Sequence, residues 1–249
     1  PGGGYVPTPD GDGETEVENL ETPPKNICDD EADTELNAGD GLFLGKTNGN
    51  VWLTYPVITF LGDDSDSDVI LSYDSIRAGD AGAYGGGKPL GHGWSHSLYK
   101  PLRNRLTSLG ESYYELCDND TCHALFDYNN DGIFTKQYSN EMSLVLVGQT
   151  ISVSFSDGRE YTYSPSGILN LWNIVKSKDA RERTTTFVYS GGQLQQVVTA
   201  HGREILFQYN NGRVWKIIGP DLGETTITYQ NGNVVSITNP LGNTYTYQY

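Results

Sequence analysis

The chain contains little methionine, little cysteine and no long apolar run. Its 249 residues include one methionine and three cysteines. No apolar stretch approaches the ~20 residues of a membrane-spanning helix, so we expect no membrane span. Bases are also scarce, with 16 lysines and arginines against 32 acids and a formal net charge of −16. A surplus of this sign repels phosphates, and we therefore expect no nucleic-acid partner.

The sequence also lacks the common catalytic motifs. It contains no Gly-x-Ser-x-Gly elbow, no phosphate-binding loop and no His-Glu-x-x-His helix. Acids are numerous, but nothing assigns two of them to one cleft, as glycoside hydrolysis requires. We therefore expect that the protein is not an enzyme.

Much of the negative charge lies at the start of the chain. Residues 1–40 hold 12 of the acids and a single base, Lys25, whereas the remaining residues carry a net charge of only −5. A stretch with few large apolar residues cannot offset the entropy lost on ordering. The composition predicts that residues 1–40 form a disordered acidic linker, with order beginning near Asp40.

Tyrosine and glycine recur in the last third of the chain. The tyrosines return at a constant interval, and a turn glycine follows each of the first three: Tyr189, Tyr209, Tyr229 and Tyr249, with Gly192, Gly212 and Gly232. Only six or seven residues separate successive turns, which is too short for an ordinary helix. Alternating apolar residues and Asn-Gly pairs are typical of β-hairpins. We therefore predict an all-β protein whose residues 161–249 form hairpin repeats.

Two details of these repeats remain open in the sequence. Apolar residues of the second strand fall on both parities, as with Leu194 and Val197, so either both faces are partly covered or a β-bulge intervenes. The second turn of each unit, at residues 200–202, 220–223 and 240–242, slips by one residue. The slip suggests that this turn tolerates changes in length.

Residues 41–160 are predicted to form a separate β region. Short runs rich in β-branched and aromatic residues indicate strands near residues 51–53, 57–61, 69–73, 113–116, 124–126, 143–147, 151–155 and 160–163. The acidic residues 63–68 form either a solvated loop or a cation site. Residues 79–87 form a glycine-rich loop.

Two of the cysteines are close together in the sequence. Cys117 and Cys122 flank a polar loop, and this spacing predicts a disulfide in an oxidising compartment. A zinc site requires more ligands than the one nearby imidazole, His123. Cys28 has no evident partner. The features of the chain are those of a secreted or cell-surface protein.

One segment matches the first half of a calcium-binding loop. Asp127, Asn129 and Asp131, followed by Gly132, place oxygen ligands at alternate positions before a sharp turn. The twelfth position is Tyr138, where such loops have a bidentate glutamate. The segment is therefore either a hairpin turn rich in Asp and Asn, or a calcium site.

A further set of motifs resembles the start of an Rhs or YD-repeat protein. It comprises a turn before Val51, an extended segment ending in Tyr73, a glycine loop, and the run Gly91, His92, Gly93 and Trp94, followed by the tyrosine repeats. The resemblance covers roughly residues 45–249. Two features depart from the family pattern: Leu71 stands where an arginine is usual, and the repeats read Tyr-Ser, Tyr-Asn and Tyr-Gln rather than Tyr-Asp.

The resemblance implies a fold and a role. The family includes the Rhs toxins, the shell-forming subunits of insecticidal ABC toxins and the teneurins, whose repeats form a long β-sheet that spirals into a hollow shell. It implies that Gly91, Gly93 and Trp94 form a packed structural corner. Independently of the resemblance, His92 and His96 share a face if this stretch is a strand. A metal site would need a third ligand that the sequence does not offer nearby, so we expect a packed or surface pair.

We therefore expect the N-terminal shell-forming segment of a YD-repeat protein that encloses or carries a C-terminal effector. The alternative is an extracellular structural or adhesive module that self-assembles or binds glycan. In both cases the last strand is an assembly edge with three tyrosines, Tyr245, Tyr247 and Tyr249. An edge of this kind invites pairing, so we expect a further repeat or another copy of the chain to cover it.

Overall fold

The computed structural model describes residues 35–37, 42–45, 51–60, 67–78, 89–118, 121–136 and 141–249. These residues form an all-β structure with one short helix, which confirms the predicted class. Residues 61–66, the glycine-rich loop and Cys28 lie outside the described residues, and so do residues 1–34. Our expectations for these segments stay predictions.

The first sheet has five antiparallel strands in chain order. They are β1 (Glu35–Asn37), β2 (Leu42–Gly45), β3 (Val51–Ile58), β4 (Val69–Asp74) and β5 (Trp94–His96), with helix α1 (Ser75–Ala78) after β4. β1 pairs with β2 and lies inside the stretch for which the sequence predicts no order.

The sequence predicts two strands where the structure has the single strand β3. Residues 51–53 and 57–58 belong to one strand that continues through Pro56. Its register with β4 shifts between Pro56 and Ile58. A proline donates no hydrogen bond, and a bulge is one of the few places where a strand tolerates it.

The second sheet begins with a closed ring of eight strands. They are β6 (Leu102–Leu106), β7 (Ser112–Asp118), β8 (Thr121–Phe126), β9 (Ile133–Lys136), β10 (Met142–Val147), β11 (Thr150–Phe155), β12 (Glu160–Pro165) and β13 (Leu171–Lys178). Each pairs with the next in antiparallel fashion, and β13 returns to pair with β6. The ring runs across residue 160, and the boundary placed there by sequence falls within β12, which pairs with β11.

β13 is shared between the ring and the hairpins that follow it. One edge pairs with β12 along most of its length. On the other edge, Leu171 and Trp172 pair with β6, whereas residues 176–178 pair with the next strand along the chain. The sheet therefore forks at β13, and the hairpins leave the ring there.

Three hairpins and one further strand complete the sheet. They are β14 (Thr184–Ser190) with β15 (Gln193–Val198), β16 (Glu204–Asn210) with β17 (Arg213–Ile218), β18 (Glu224–Gln230) with β19 (Asn233–Thr238), and β20 (Thr244–Thr246). Asn211 and Gly212 have φ values of 51° and 79°, as the predicted two-residue turns require. The other two hairpin turns also have positive φ at both central residues.

A β-bulge in each hairpin explains why the apolar residues of the second strand fall on both odd and even positions. Tyr209 pairs with Val214 while Gln208 pairs with Lys216, which leaves Trp215 as the extra residue. The same shift occurs in the other two hairpins. Because one residue is extra, apolar residues three apart both face inward, and Val214 and Ile217 are both buried.

The turns between hairpins correct one inference from sequence. In each, the first residue donates its N–H to the carbonyl of the fifth, at residues 179–183, 199–203, 219–223 and 239–243. The turn has one length and recurs at the same interval as the tyrosines, so the one-residue slip seen in the sequence is not present in the structure. The tolerance to length changes that was inferred from the slip stays a prediction. The apparent slip arises because Leu222, with φ of 64°, occupies the position that Gly202 and Gly242 fill in neighbouring turns.

One continuous hydrophobic core joins the two sheets. It contains Leu71 and Trp94 of the first sheet, Leu116 and Leu144 of the ring, and Phe207 of the hairpins. The first sheet therefore packs across the inner face of the hairpins, and this packing positions the site described next.

Candidate functional site

The run from Gly91 to Trp94 forms a corner between the first sheet and the hairpins. Gly91 and Gly93 have φ values of 84° and 70°, which glycine adopts without a steric penalty. The Asp74 N–H donates to the Gly93 carbonyl over 3.0 Å, and a β-carbon on Gly93 would lie 2.6 Å from the Tyr73 ring. This position therefore excludes a side chain on steric grounds as well.

The corner contacts two consecutive hairpins. The His92 N–H donates to the Gly232 carbonyl over 3.2 Å, and the Val214 N–H donates to the Pro89 carbonyl over 2.8 Å. Gly232 lies in the β18–β19 turn, whereas Val214 lies beside the bulge of β17. Backbone contacts of this kind hold the two hairpins in a fixed position relative to the first sheet.

Trp94 anchors the corner in the core. It is only 1% exposed, and its ring centroid lies 5.5 Å from that of Tyr73 and 5.1 Å from that of Tyr247. Its indole Nε1 donates to the Tyr249 hydroxyl over 2.7 Å. A buried indole N–H needs such a partner, because an unpaired donor in the core is costly.

The three C-terminal tyrosines face the first sheet. Tyr245 packs on Tyr55 with ring centroids 5.0 Å apart, and Tyr249 packs on Tyr73 at 5.6 Å. Tyr247 contacts Trp94, as described above. Among the described strands, β20 has one hydrogen-bonded neighbour, β19. The side chains of the predicted assembly edge are thus used within the chain, whereas its outer backbone edge is not paired in the described structure.

The repeat tyrosines link each hairpin to the one before it. The Tyr229 hydroxyl donates to the Val214 carbonyl over 2.6 Å, and the Tyr249 hydroxyl donates to the Val234 carbonyl over 2.9 Å. The Tyr209 hydroxyl hydrogen-bonds with the backbone of Leu194. All three contacts have the same separation in sequence. The period of the tyrosines is evident in the sequence, but these hydroxyl contacts are not.

Burial keeps these hydroxyls protonated. It raises the pKa of Tyr189, Tyr209 and Tyr229 above the usual value, and it raises the pKa of Tyr247 to about 12. The charged phenolate is poorly solvated in such surroundings. The tyrosines therefore stay neutral to a more alkaline pH than an exposed tyrosine does.

His92 and His96 do not converge on a common site. His96 is 1% exposed and stacks on Phe207, with ring centroids 5.2 Å apart. Neither of its ring nitrogens has a hydrogen-bond partner in the described structure, and burial lowers its pKa to about 3. His92 instead lies beside Gly232, where a β-carbon would be 2.7 Å from its Nε2.

A largely buried ion-pair cluster lies on the outer face of the ring. The Glu115 carboxylate accepts a hydrogen bond from Arg105 Nε at 2.8 Å and lies 3.6 Å from a guanidinium nitrogen of Arg103. Arg103 also hydrogen-bonds with Tyr99. The opposite charges are on separate strands, so sequence spacing gave no signal for the cluster.

The predicted disulfide is confirmed. Cys117 and Cys122 are directly opposite each other on β7 and β8 and are bonded, with Cα atoms 4.0 Å apart. The bond closes the tip of this hairpin.

The candidate calcium residues form a hairpin turn. The Asp127 carboxylate accepts hydrogen bonds from the N–H groups of Asp131 and Gly132, at 3.1 and 2.9 Å. One Asp131 oxygen accepts from the Ile133 N–H. In the described part of the chain, no three residues of His, Cys, Asp and Glu are grouped closely enough to hold a metal ion. Calcium binding by Asp127, Asn129 and Asp131 stays a prediction.

No helix in the described residues has the length and hydropathy needed to cross a membrane.

Comparison with known proteins yields matches among solved structures only. No model of a protein family matches the sequence, and no curated protein matches it. Among solved structures, the chain is similar to the crystal structure of TcdB2-TccC3, with 12% sequence identity and a TM-score of 0.48. The match covers 86% of this chain but 16% of that one, so this chain spans about a sixth of its length. A likeness at this level assigns neither a family nor a function.

Proposed function

We propose that this chain is the N-terminal shell-forming segment of a secreted or cell-surface Rhs/YD-repeat protein that encloses or carries a C-terminal effector. The observation that carries the proposal is the repeated linkage of the hairpins. Each adds to the same sheet with the same bulge, and regularly spaced tyrosines bond to the backbone of the preceding hairpin. A wall built in this way extends without new geometry, because every unit offers its successor the same edge.

The first sheet covers the inner face of the hairpins, and this position is compatible with a wall that has a covered inner side and an exposed outer side. Its contacts extend along the inner face of the hairpins, from Ser67 with Thr185 on β14 to Tyr55 with Tyr245 on β20. In this arrangement the inner face is buried at the start of the wall. The order of the sequence motifs, from the turn before Val51 to the tyrosine repeats, supports the assignment to the Rhs/YD type.

The disulfide supports an oxidising compartment, because such bonds persist mainly outside the reducing cytosol. A role as a wall requires no catalytic step, and we propose that the segment itself is not an enzyme. Any chemistry would then belong to the carried effector.

The proposal is tested by electron microscopy and limited proteolysis of the protein purified from its natural source. We expect hollow, closed particles that protect an internal segment from protease until the particles are unfolded. Solid fibres, a surface lattice, or complete digestion of everything outside this chain would contradict the proposal.

One observation favours the second candidate, a self-assembling structural or adhesive module. β20 has one hydrogen-bonded neighbour among the described strands, and Tyr245 and Tyr249 are about half exposed beside it. An unprotected edge of this kind pairs readily with another strand. Exposed tyrosine faces are also suitable for stacking against glycans.

A double substitution tests the assembly edge that both candidates share. Thr246→Lys with Gln248→Pro places a charge and a residue without an N–H on the edge while leaving the tyrosines in place. We expect sedimentation velocity to show self-association of the 249-residue chain that these changes abolish. A monomeric wild-type chain would contradict the assembly edge, and the particle shape seen by microscopy separates the two candidates.

A further inference from the structure

One end of the eight-stranded ring carries a concentration of exposed apolar side chains. Because the ring is an antiparallel meander, alternate turns lie at the same end. These turns comprise residues 106–112, 127–133, 145–150 and 165–170, and we call them together the ring mouth. Its exposed apolar residues are Leu106, Leu109, Tyr128, Ile133, Val145, Leu146, Val147, Ile168 and Leu169.

The mouth continues the core of the ring into solvent. Leu102 and Leu144 point inward and are fully buried. Leu106 and Leu146 lie on the same faces of the same strands, four and two residues further on, yet they are 68% and 47% exposed. A soluble surface rarely has so many apolar residues together unless something binds them.

The turns of the mouth extend this apolar surface. Leu109 is 74% exposed and Leu169 is 88% exposed, each at the tip of its turn. The turns themselves are held by hydrogen bonds. The Thr107 N–H donates to the Glu111 carbonyl, and the Asp127 carboxylate accepts from the Gly132 N–H. The leucines are therefore presented by ordered backbone.

The charges of the mouth restrict what can bind there. It contains three acids, Glu111, Asp127 and Asp131, and neither lysine, arginine nor histidine. The base next to it in the sequence, Arg105, forms an ion pair with Glu115. Two mouths would repel each other, and anionic lipid headgroups would be repelled as well, because interfacial segments typically carry Lys or Arg.

We propose that the ring mouth is a docking site for a protein segment that presents apolar side chains bordered by lysine or arginine. The leucines bury the apolar side chains of the partner. The three carboxylates select for basic residues around them and increase the association rate. This role is independent of the proposed shell function.

The test uses the whole chain and three fluorescein-labelled peptides at physiological ionic strength. Each peptide has about 18 residues, which is long enough to form a helix. One has leucine on one helical face and lysine on the other, the second has leucine and glutamate, and the third has serine and lysine. We expect the leucine–lysine peptide to bind in fluorescence anisotropy at least ten-fold more tightly than either of the others. Equal binding of the serine–lysine peptide, or no binding of the leucine–lysine peptide, overturns the proposal.

Matched variants locate the binding. Leu109→Gln with Leu146→Gln and Leu169→Gln should weaken binding of the leucine–lysine peptide at least ten-fold. Leu222→Gln with Leu241→Gln, two exposed leucines in turns between hairpins, should leave it unchanged. Glu111→Lys, which retains every leucine, should weaken it several-fold and covers the case in which the triple variant folds poorly. Unchanged binding by the mouth variants overturns the proposal.

Two further measurements address other occupants. The wild-type chain should not co-sediment with phosphatidylcholine vesicles, with or without phosphatidylglycerol. It should also show no dimer that the Leu109, Leu146 and Leu169 substitutions remove in sedimentation equilibrium. Binding to vesicles would make the mouth a lipid-binding surface, and such a dimer would make it a self-association surface, so either result overturns the proposal.

Discussion

The Trp94 indole donates a hydrogen bond to the Tyr249 hydroxyl, 155 residues further along the chain. The same hydroxyl donates to the Val234 carbonyl. This single oxygen therefore connects the corner of the first sheet with the last hairpin. The link ties the C-terminal tyrosine to the buried Trp94, although Tyr249 itself is 60% exposed.

Removing this hydroxyl should destabilise the protein. Tyr249→Phe leaves the buried Trp94 N–H and the Val234 carbonyl without that partner, and we expect a loss of about 1 to 3 kcal/mol in the free energy of unfolding. Urea denaturation followed by tryptophan fluorescence measures it. Tyr245→Phe is the control, because its ring contact with Tyr55 does not need the hydroxyl. Equal stability of Tyr249→Phe and wild type would show that the link is not formed in solution.

The glycines of two hairpin turns form a matched pair. Gly212 and Gly232 both have positive φ, but a β-carbon on Gly212 would meet nothing within 4 Å, whereas one on Gly232 would lie 2.7 Å from His92 Nε2. Gly212→Ala should cost about 1 kcal/mol for the backbone conformation alone. Gly232→Ala should cost more, because it also disturbs the corner. Equal losses for the two variants in chemical denaturation would argue against docking of the corner on this turn.

Buried His96 should make stability depend on pH. Its pKa is about 3 in the folded protein and about 6.5 when unfolded, so the unfolded state binds a proton first as pH falls. The stability contribution is complete above about pH 6.5 and is progressively lost below it, by about 2 kcal/mol at pH 5.

His96→Phe isolates this effect, because carboxylates titrate alike in both proteins. The variant should lose less stability than the wild type between pH 7.5 and pH 5 in urea denaturation. It should be no less stable at pH 7.5, since it removes ring nitrogens without a hydrogen-bond partner in the described structure. Parallel pH profiles would show that the imidazole is solvated or paired in solution.

Substitutions at Leu222 and Gly242, which occupy equivalent positions in successive turns, should change stability in opposite directions. Leu222 has φ of 64° and is largely exposed, so Leu222→Gly should relieve backbone strain and stabilise the protein by up to about 1 kcal/mol. Gly242→Ala, at the same position of the next turn, should destabilise it by about 1 kcal/mol, because a β-carbon there meets nothing within 4 Å and only the backbone is affected. Thermal melting of both variants checks the signs. A stabilising Gly242→Ala would refute the assigned turn geometry.

A chelator distinguishes the two interpretations of the Asp127 segment. Both carboxylate oxygens of Asp127 already accept backbone N–H groups, so we expect the melting temperature to be unchanged by EGTA. If calcium binds, the chelator lowers the melting temperature of the wild type but not that of Asp131→Ala. That second outcome would favour the calcium loop over the hairpin turn.

The local structure of the hairpins can be predicted from short stretches of sequence. Asn211 with Gly212 predicts a turn that needs positive φ, and alternating apolar residues predict the strands on either side, because both depend on sterics within a few residues. The spacing of Cys117 and Cys122 likewise predicted a bond between neighbouring strands. Aligning the turns between hairpins by their glycines misplaced the turn at residues 219–223, because Leu222 and not a glycine takes the left-handed conformation there.

The way these local pieces combine is visible only in the folded chain. Nothing near Leu171 in the sequence specifies that its strand pairs with β6 as well as with β12, or that the sheet forks there. The contact of Trp94 with Tyr249 and the cluster of Arg103 with Glu115 are equally invisible in the sequence. Many β-hairpins present similar apolar faces and similar edge hydrogen bonds, so short stretches of sequence do not select a partner. The selection comes from burying all of these faces together in one core, which is a property of the whole chain.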